Sequence, residues 1–192
     1  MRDYLYIWSN PEDQYIVASG IEFKDLAKAM SYNSLWFFEQ YFDHVDISWP
    51  SGFAYASKEK VQKKLIKEDV YSWGDFSWAD SVYEGDVEIS RLEVAEMAYF
   101  KQTSEPFGVI NLPSIGNKFL VRAHDDGWFL KMYYNTFKDM SLVLRKMEIS
   151  PKIVKRLEKG EGAFYIDKHV KLEVEKTMAI DTIQKKIYDM NL

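Results

Sequence analysis

The sequence predicts an α+β protein: a mainly antiparallel sheet, with a meander around residues 109–149 and further strands over 163–175, packed by about five helices in a single domain over 1–192. Three observations carry this. Residues 118–134 hold two alternating runs around Asp126-Gly127, a pair that favours a tight two-residue turn. Phe119, Val121 and Ala123 then share one sheet face with Leu130, Met132 and Tyr134, while Leu120, Arg122 and His124 oppose Phe129, Lys131 and Tyr133 on the other. Ser90-Arg91-Leu92-Glu93 has the spacing of a capping box and marks a helix start. A chain of 192 residues with 47% apolar side chains can bury a core without staples.

In order along the chain, residues 3–9 and 15–18 form an opening hairpin across the turn Asn10-Pro11-Glu12-Asp13. Gly20 ends it, and Ile21, Leu26 and Met30 stand near helical spacing, which predicts a helix over 21–30. Residues 35–42, Leu-Trp-Phe-Phe-Glu-Gln-Tyr-Phe, are too apolar to lie exposed and lack the alternation of a half-buried strand, so they fit a buried helix or a fully buried strand, of which the helix is preferred. Ser57 is an N-cap for a helix reaching about Asp69, with Val61, Leu65 and Ile66 inward and lysines outward. The helix from Arg91 ends near Thr103, and Pro106-Phe107-Gly108 stops it, placing a candidate subdomain boundary near 105–108. Residues 109–112 read as a strand, and 141–149 alternate, which predicts a third meander strand beside the central hairpin. Ser150-Pro151 begins a short helix ended by Gly160, and two strands follow at 163–166 and 170–174. Ile180, Ile183 and Ile187 align on a terminal helix over 178–190.

The composition narrows the classes of function. Zero cysteines exclude disulfides, cysteine zinc sites and iron–sulfur clusters. The N-terminus carries charge where a signal peptide needs an apolar run, and no stretch approaches the roughly 20 apolar residues of a membrane span, so a cytoplasmic protein without membrane contact is expected. A net charge of −5 argues against bulk attraction to nucleic acid. Searches for phosphate-binding glycine loops, dinucleotide fingerprints, His-Glu-x-x-His and Gly-x-Ser-x-Gly patterns are negative, so no cofactor, metal or catalytic residue is assigned. His124-Asp125-Asp126, the one place where an imidazole and carboxylates adjoin at a hairpin tip, is read as turn chemistry. His44 is placed at a solvated element end and His169 in an exposed turn.

Two surfaces are candidates for function. From Glu68 to Glu88 the chain holds seven acidic residues and no basic one, interleaved with aromatics, directly after a lysine-rich helix. Carboxylates between aromatic anchors suit docking on a basic protein surface, so Tyr71, Trp73, Asp75, Trp78, Asp80, Tyr83, Glu84 and Asp86 are the candidate partner-binding residues. The reading is a non-enzymatic interaction module of the inhibitor or immunity-protein kind. The alternative is a small-molecule or nucleotide-processing enzyme in which Arg122, His124, Lys131 and Tyr133 hold an anion on one sheet face. There the two cations stand directly opposite, which costs stability unless something negative lies between them, and an acidic segment from 68–88 is the expected internal partner.

Overall fold

The computed structural model describes residues 4–38, 44–67, 76–103, 105–106, 111–124, 129–167 and 172–176. Among the described residues ten strands form one antiparallel sheet: β1 (Tyr4–Asn10), β2 (Tyr15–Ser19), β3 (Ser34–Phe37), β4 (Asp46–Ile47), β5 (Ala54–Ser57), β6 (Phe76–Ser81), β7 (Phe119–His124), β8 (Phe129–Tyr134), β9 (Ala163–Asp167) and β10 (Leu172–Lys176). Their spatial order is β10-β9-β1-β2-β8-β7-β6-β3-β5-β4. Strands from either side of residues 105–108 therefore alternate within the same sheet.

The opening hairpin forms because Tyr, Ile and Trp favour the pleated surface and the side chain of Asn10 accepts the Asp13 N–H at 3.1 Å, closing the turn. At the far end Gly20 adopts φ +87, and a Cβ there would lie 2.0 Å from the Tyr4 carbonyl oxygen, so only glycine fits. The central hairpin has the predicted register, with Arg122 opposite Lys131 and Val121 opposite Met132; its turn residues, 125–128, lie outside the described residues.

Three elements differ from expectation. Residues 141–149 are not a strand: 141–146 belong to helix α4 (Phe137–Lys146) and 147–149 lead out of it, because Met140, Val143, Leu144 and Met147 at positions i, i+3, i+4 and i+7 bury together. The Thr136 hydroxyl accepts the Asp139 N–H at 3.2 Å and starts this helix. Residues 34–37 are the strand β3 rather than a helix: flanked by β5 and β6, all four residues are buried, and such a run has no alternation to show. Asn111 and Leu112 are not in a strand, and the hairpin's neighbours are β6 and β2. Residues 39–42, 68–69, 109–110, 170–171 and the predicted terminal helix over 178–190 fall outside the described residues.

One face of the sheet is covered by α1 (Phe23–Ala29), α2 (Lys58–Lys60, continuing as π-helical turns over Val61–Leu65), α4 and α5 (Pro151–Glu158). Each starts with a local signal: Ser57 accepts the Lys60 N–H, and Ser150 accepts the Ile153 N–H ahead of Pro151. Phe23, Leu26, Val61, Leu65, Leu144 and Leu157 join one core with the inward residues of β1, β2, β7 and β8. The other face is covered by α3 (Arg91–Thr103), whose Met97 and Phe100 pack on Trp36, Phe38, Leu120 and Tyr133.

Candidate interaction surface

The basic sheet face serves the interior. Arg122 donates through Nη1 to the Ser77 hydroxyl at 2.8 Å and to the Lys101 carbonyl at 3.0 Å, capping the last turn of α3. Lys131 donates to Glu105 Oε1 at 2.8 Å and lies 4.2 Å above the Tyr15 ring. Tyr133 donates its hydroxyl to the other Glu105 oxygen at 3.2 Å, and burial followed by the Glu105 charge pushes its pKa up. The two like charges are thus relieved by a helix end and one carboxylate of the same chain. Among the described residues that carboxylate is Glu105, because α3 leads the chain back across this face; residues 68–75 of the expected acidic partner segment lie outside the described residues. The structure places Lys131 and Tyr133 on an internal carboxylate and Arg122 on a hydroxyl and a helix-end carbonyl; the His124 side chain is outside what is described.

The acidic stretch divides into an interior part and a surface part. Tyr71, Trp73 and Asp75 lie outside the described residues. Trp78 and Asp80 do not belong to a docking surface: β6 lies between β3 and β7, its six residues are all buried, and Trp78 packs edge-on against Phe23 at 5.5 Å. Asp80 is the notable member. Its Oδ1 accepts the backbone N–H groups of Lys118 at 2.9 Å and Phe119 at 2.7 Å, which pins the start of β7, while Oδ2 is buried with no hydrogen-bond partner. Burial pushes its pKa up to about 7 against those two donors.

Past β6 the chain reaches the surface. Val82 and Tyr83 are 41% and 48% exposed, and Glu84, Asp86 and Glu88 are exposed with no ion pair among the described residues. The backbone here is held firmly: Asn33 donates to the Val82 carbonyl at 2.6 Å, Ser34 to the Tyr83 carbonyl at 2.8 Å, and the Val82 N–H reaches the Ile115 carbonyl at 3.1 Å. Gly116 completes the contact. At φ +60, with a Cβ position only 2.6 Å from Val82 Cγ2, it leaves no room for a side chain.

Helix α3 adjoins this segment and is built against the usual rule. Ser90 and Glu93 form the predicted capping box: the Glu93 N–H reaches Ser90 Oγ at 3.3 Å, and the Ser90 N–H reaches Glu93 Oε2 at 3.1 Å. Glu93 also accepts the Ser114 N–H at 2.7 Å and both the Ser90 and Ser114 hydroxyls. Burial alone would raise its pKa, yet these donors hold it below the usual carboxylate range. Ser114 belongs to the same 111–117 connection as Ile115 and Gly116, so one short loop joins α3 to Val82 and Tyr83. Because Glu93 and Glu96 turn inward, Leu92 and Tyr99 turn outward at 63% and 42% exposure, with Ala95 and Ala98 between them. An apolar helix stripe beside three unpaired carboxylates is the result. Val82, Leu92 and Tyr99 escaped the sequence reading; the signal for them was Glu93 and Glu96, three apart, sharing a helix face with Met97 and Phe100.

Two further sites are less developed. Trp49, in the β4–β5 turn, is the most exposed large apolar residue among those described, but the nearest carboxylate in sequence, Asp46, is paired with Lys60 at 2.6 Å. A small cavity under α3 is lined by Phe38, Glu96, Met97, Phe100, Pro106, Leu112 and Leu120, apolar but for Glu96. Among the described residues no group of three or more His, Asp and Glu side chains could hold a metal ion, and no helix is long and apolar enough to cross a membrane.

Fold and surface define the class: an α+β protein built on a ten-stranded antiparallel sheet, with an outward-turned apolar helix face beside free carboxylates. No protein-family model matches the chain, and no curated protein and no solved structure is significantly similar to it.

Proposed function

We propose that the protein is a non-enzymatic interaction module, of the kind that masks or holds another protein, and that it docks through residues 82–88 and the outward face of α3. The carrying observation is the inversion of α3, which exposes Leu92 and Tyr99 while burying Glu93 and Glu96. Exposing a leucine and a tyrosine gains nothing for folding, whereas apolar and aromatic groups on a rigid backbone are what interfaces use as anchors. Glu84, Asp86 and Glu88 beside them set the partner's chemistry: a protein surface bearing lysine or arginine around an apolar patch.

The test is site-specific photo-crosslinking in the native host, with the crosslinker at position 92, at 83, and, as control, at 155 on α5. Positions 92 and 83 should trap the same basic protein, and Glu84→Gln with Asp86→Asn and Glu88→Gln should abolish the adduct while leaving the circular-dichroism melt in place. Asp80 is left out of this set because it is interior. Equal crosslinking at 92 and 155, or an adduct indifferent to the three amides, would reject the reading.

A further inference from the structure

The helices on the opposite face of the sheet carry the opposite charge. α1, α2 with its π-helical turns, α4 and α5 together hold twelve lysines and arginines against four carboxylates, in a chain whose net charge is −5. All four turn their apolar residues into the same core, so their charged sides look outward from one face of the molecule. Some cations are satisfied locally: Lys24 by Glu22, Lys60 by Asp46, Lys63 by Glu59 and Arg156 by Glu161. Lys28, Lys138, Arg145, Lys146, Lys152 and Lys155 are exposed, and among the described residues none of them has an ion-pair partner. α1 packs on α4 and α4 on α5, so these six lie on three adjoining helices.

We propose that this helical face binds the phosphate backbone of duplex nucleic acid without reading its sequence. A polyanion is the partner that several unpaired cations on adjoining helices fit, because each phosphate neutralised releases condensed counterions. Duplex is favoured over single strand because the latter needs aromatic platforms for its bases, and on these helices the one exposed large apolar side chain is Leu142. A lone leucine is also too little for the apolar face that a membrane-surface helix buries. The overall charge of −5 is no obstacle: Glu148 and Glu158 are exposed beside these cations but are outnumbered three to one by the six, Glu84, Asp86 and Glu88 lie by α3 on the other face of the sheet, and charges beyond a Debye length of about 8 Å are screened.

The experiment is titration of a fluorescent 24-base-pair DNA of mixed sequence with the full chain, over a series of salt concentrations. Binding should be insensitive to base sequence, with a log–log salt slope of about −5, as six phosphate contacts require. Replacing Arg145, Lys146, Lys152 and Lys155 by glutamine should reduce the magnitude of the slope by about 4 and weaken binding at least tenfold at low salt. The α4 pair and the α5 pair, made separately, should each remove about half. Leu142→Ser should change nothing. No binding at low salt, an unchanged slope in the fourfold variant, or preference for anionic phospholipid vesicles with loss on Leu142→Ser would overturn the proposal. The three amides at 84, 86 and 88 leave DNA binding intact or tighten it, so this inference stands or falls apart from the protein-docking surface.

Discussion

On the face carrying α1, α4 and α5, inward positions are Leu, Met, Ile, Val and Phe and outward ones are mostly charged, Leu142 being the exposed apolar exception; on the face carrying α3, two glutamates point inward while a leucine and a tyrosine point out. The same sheet supports both arrangements. The first is ordinary amphipathic packing, where burial of about 25 cal/mol per Å² holds each helix down. In the second, α3 adds to the packing of Met97 and Phe100 a polar lock: Ser90, Glu93 and Ser114 at its start, Arg122 on the Lys101 carbonyl at its end. A helix fixed by its ends is free to present its flank. The lesson is that an exposed apolar stripe can be maintained when hydrogen bonds, and not that stripe, hold the helix in place.

Four measurements break or sharpen this contrast. The largest effect concerns Asp80, the carboxylate under both layers. Its folded pKa, pushed up to about 7 by burial, lies above the ordinary aspartate value of 3.8, so the folded state holds the proton more tightly. Stability from this group is therefore present below pH 4, falls as pH rises through the window up to about 7, and is fully lost above it. The whole change across that window amounts to on the order of 4 kcal/mol. Asp80→Asn retains an acceptor for the Lys118 and Phe119 N–H groups without the buried charge. The difference between variant and parent in urea unfolding should grow in the variant's favour from pH 4 to pH 8; a flat difference would refute the burial argument. Next, Leu157→Ala on the ordinary face should cost about 3 kcal/mol, because the side chain is fully buried and the cavity cannot collapse. Glu93→Ala should cost about 2 kcal/mol, far more than an exposed carboxylate, since it removes the capping box and leaves Ser114 without its acceptor. A loss below about 0.5 kcal/mol in chemical denaturation would remove the polar lock from the account.

Much of this architecture was legible in the residues, and the exceptions have physical causes. Turn and cap chemistry read well, because it is local: Asn10 to Asp13, Ser57, Ser90 with Glu93, Ser150 with Pro151, and the register that sets Arg122 against Lys131. α4 was misread since Leu142, Leu144 and Lys146 mimic strand alternation; the helical set at 140, 143, 144 and 147, and Thr136 with Asp139, were the better evidence. β3 and β6 were misjudged for the opposite reason. Strands paired on both sides and covered on both faces carry no solvent-facing alternation, and an aspartate in such a strand looks like surface until its backbone donors are seen. Of the candidate docking residues, Tyr83, Glu84 and Asp86 lie at the surface, whereas Leu92 and Tyr99 required knowledge of which helix face the glutamates occupy.

The smallest expected change tests the central claim most directly. In the double variant Leu92→Asp with Tyr99→Ser, both outward side chains of α3 are lost, and an aspartate enters the first turn, where the helix dipole favours it. Urea unfolding should place its stability within about 0.5 kcal/mol of the parent. A loss above about 2 kcal/mol would mean that Leu92 and Tyr99 are packed in the interior, and that α3 presents no docking face.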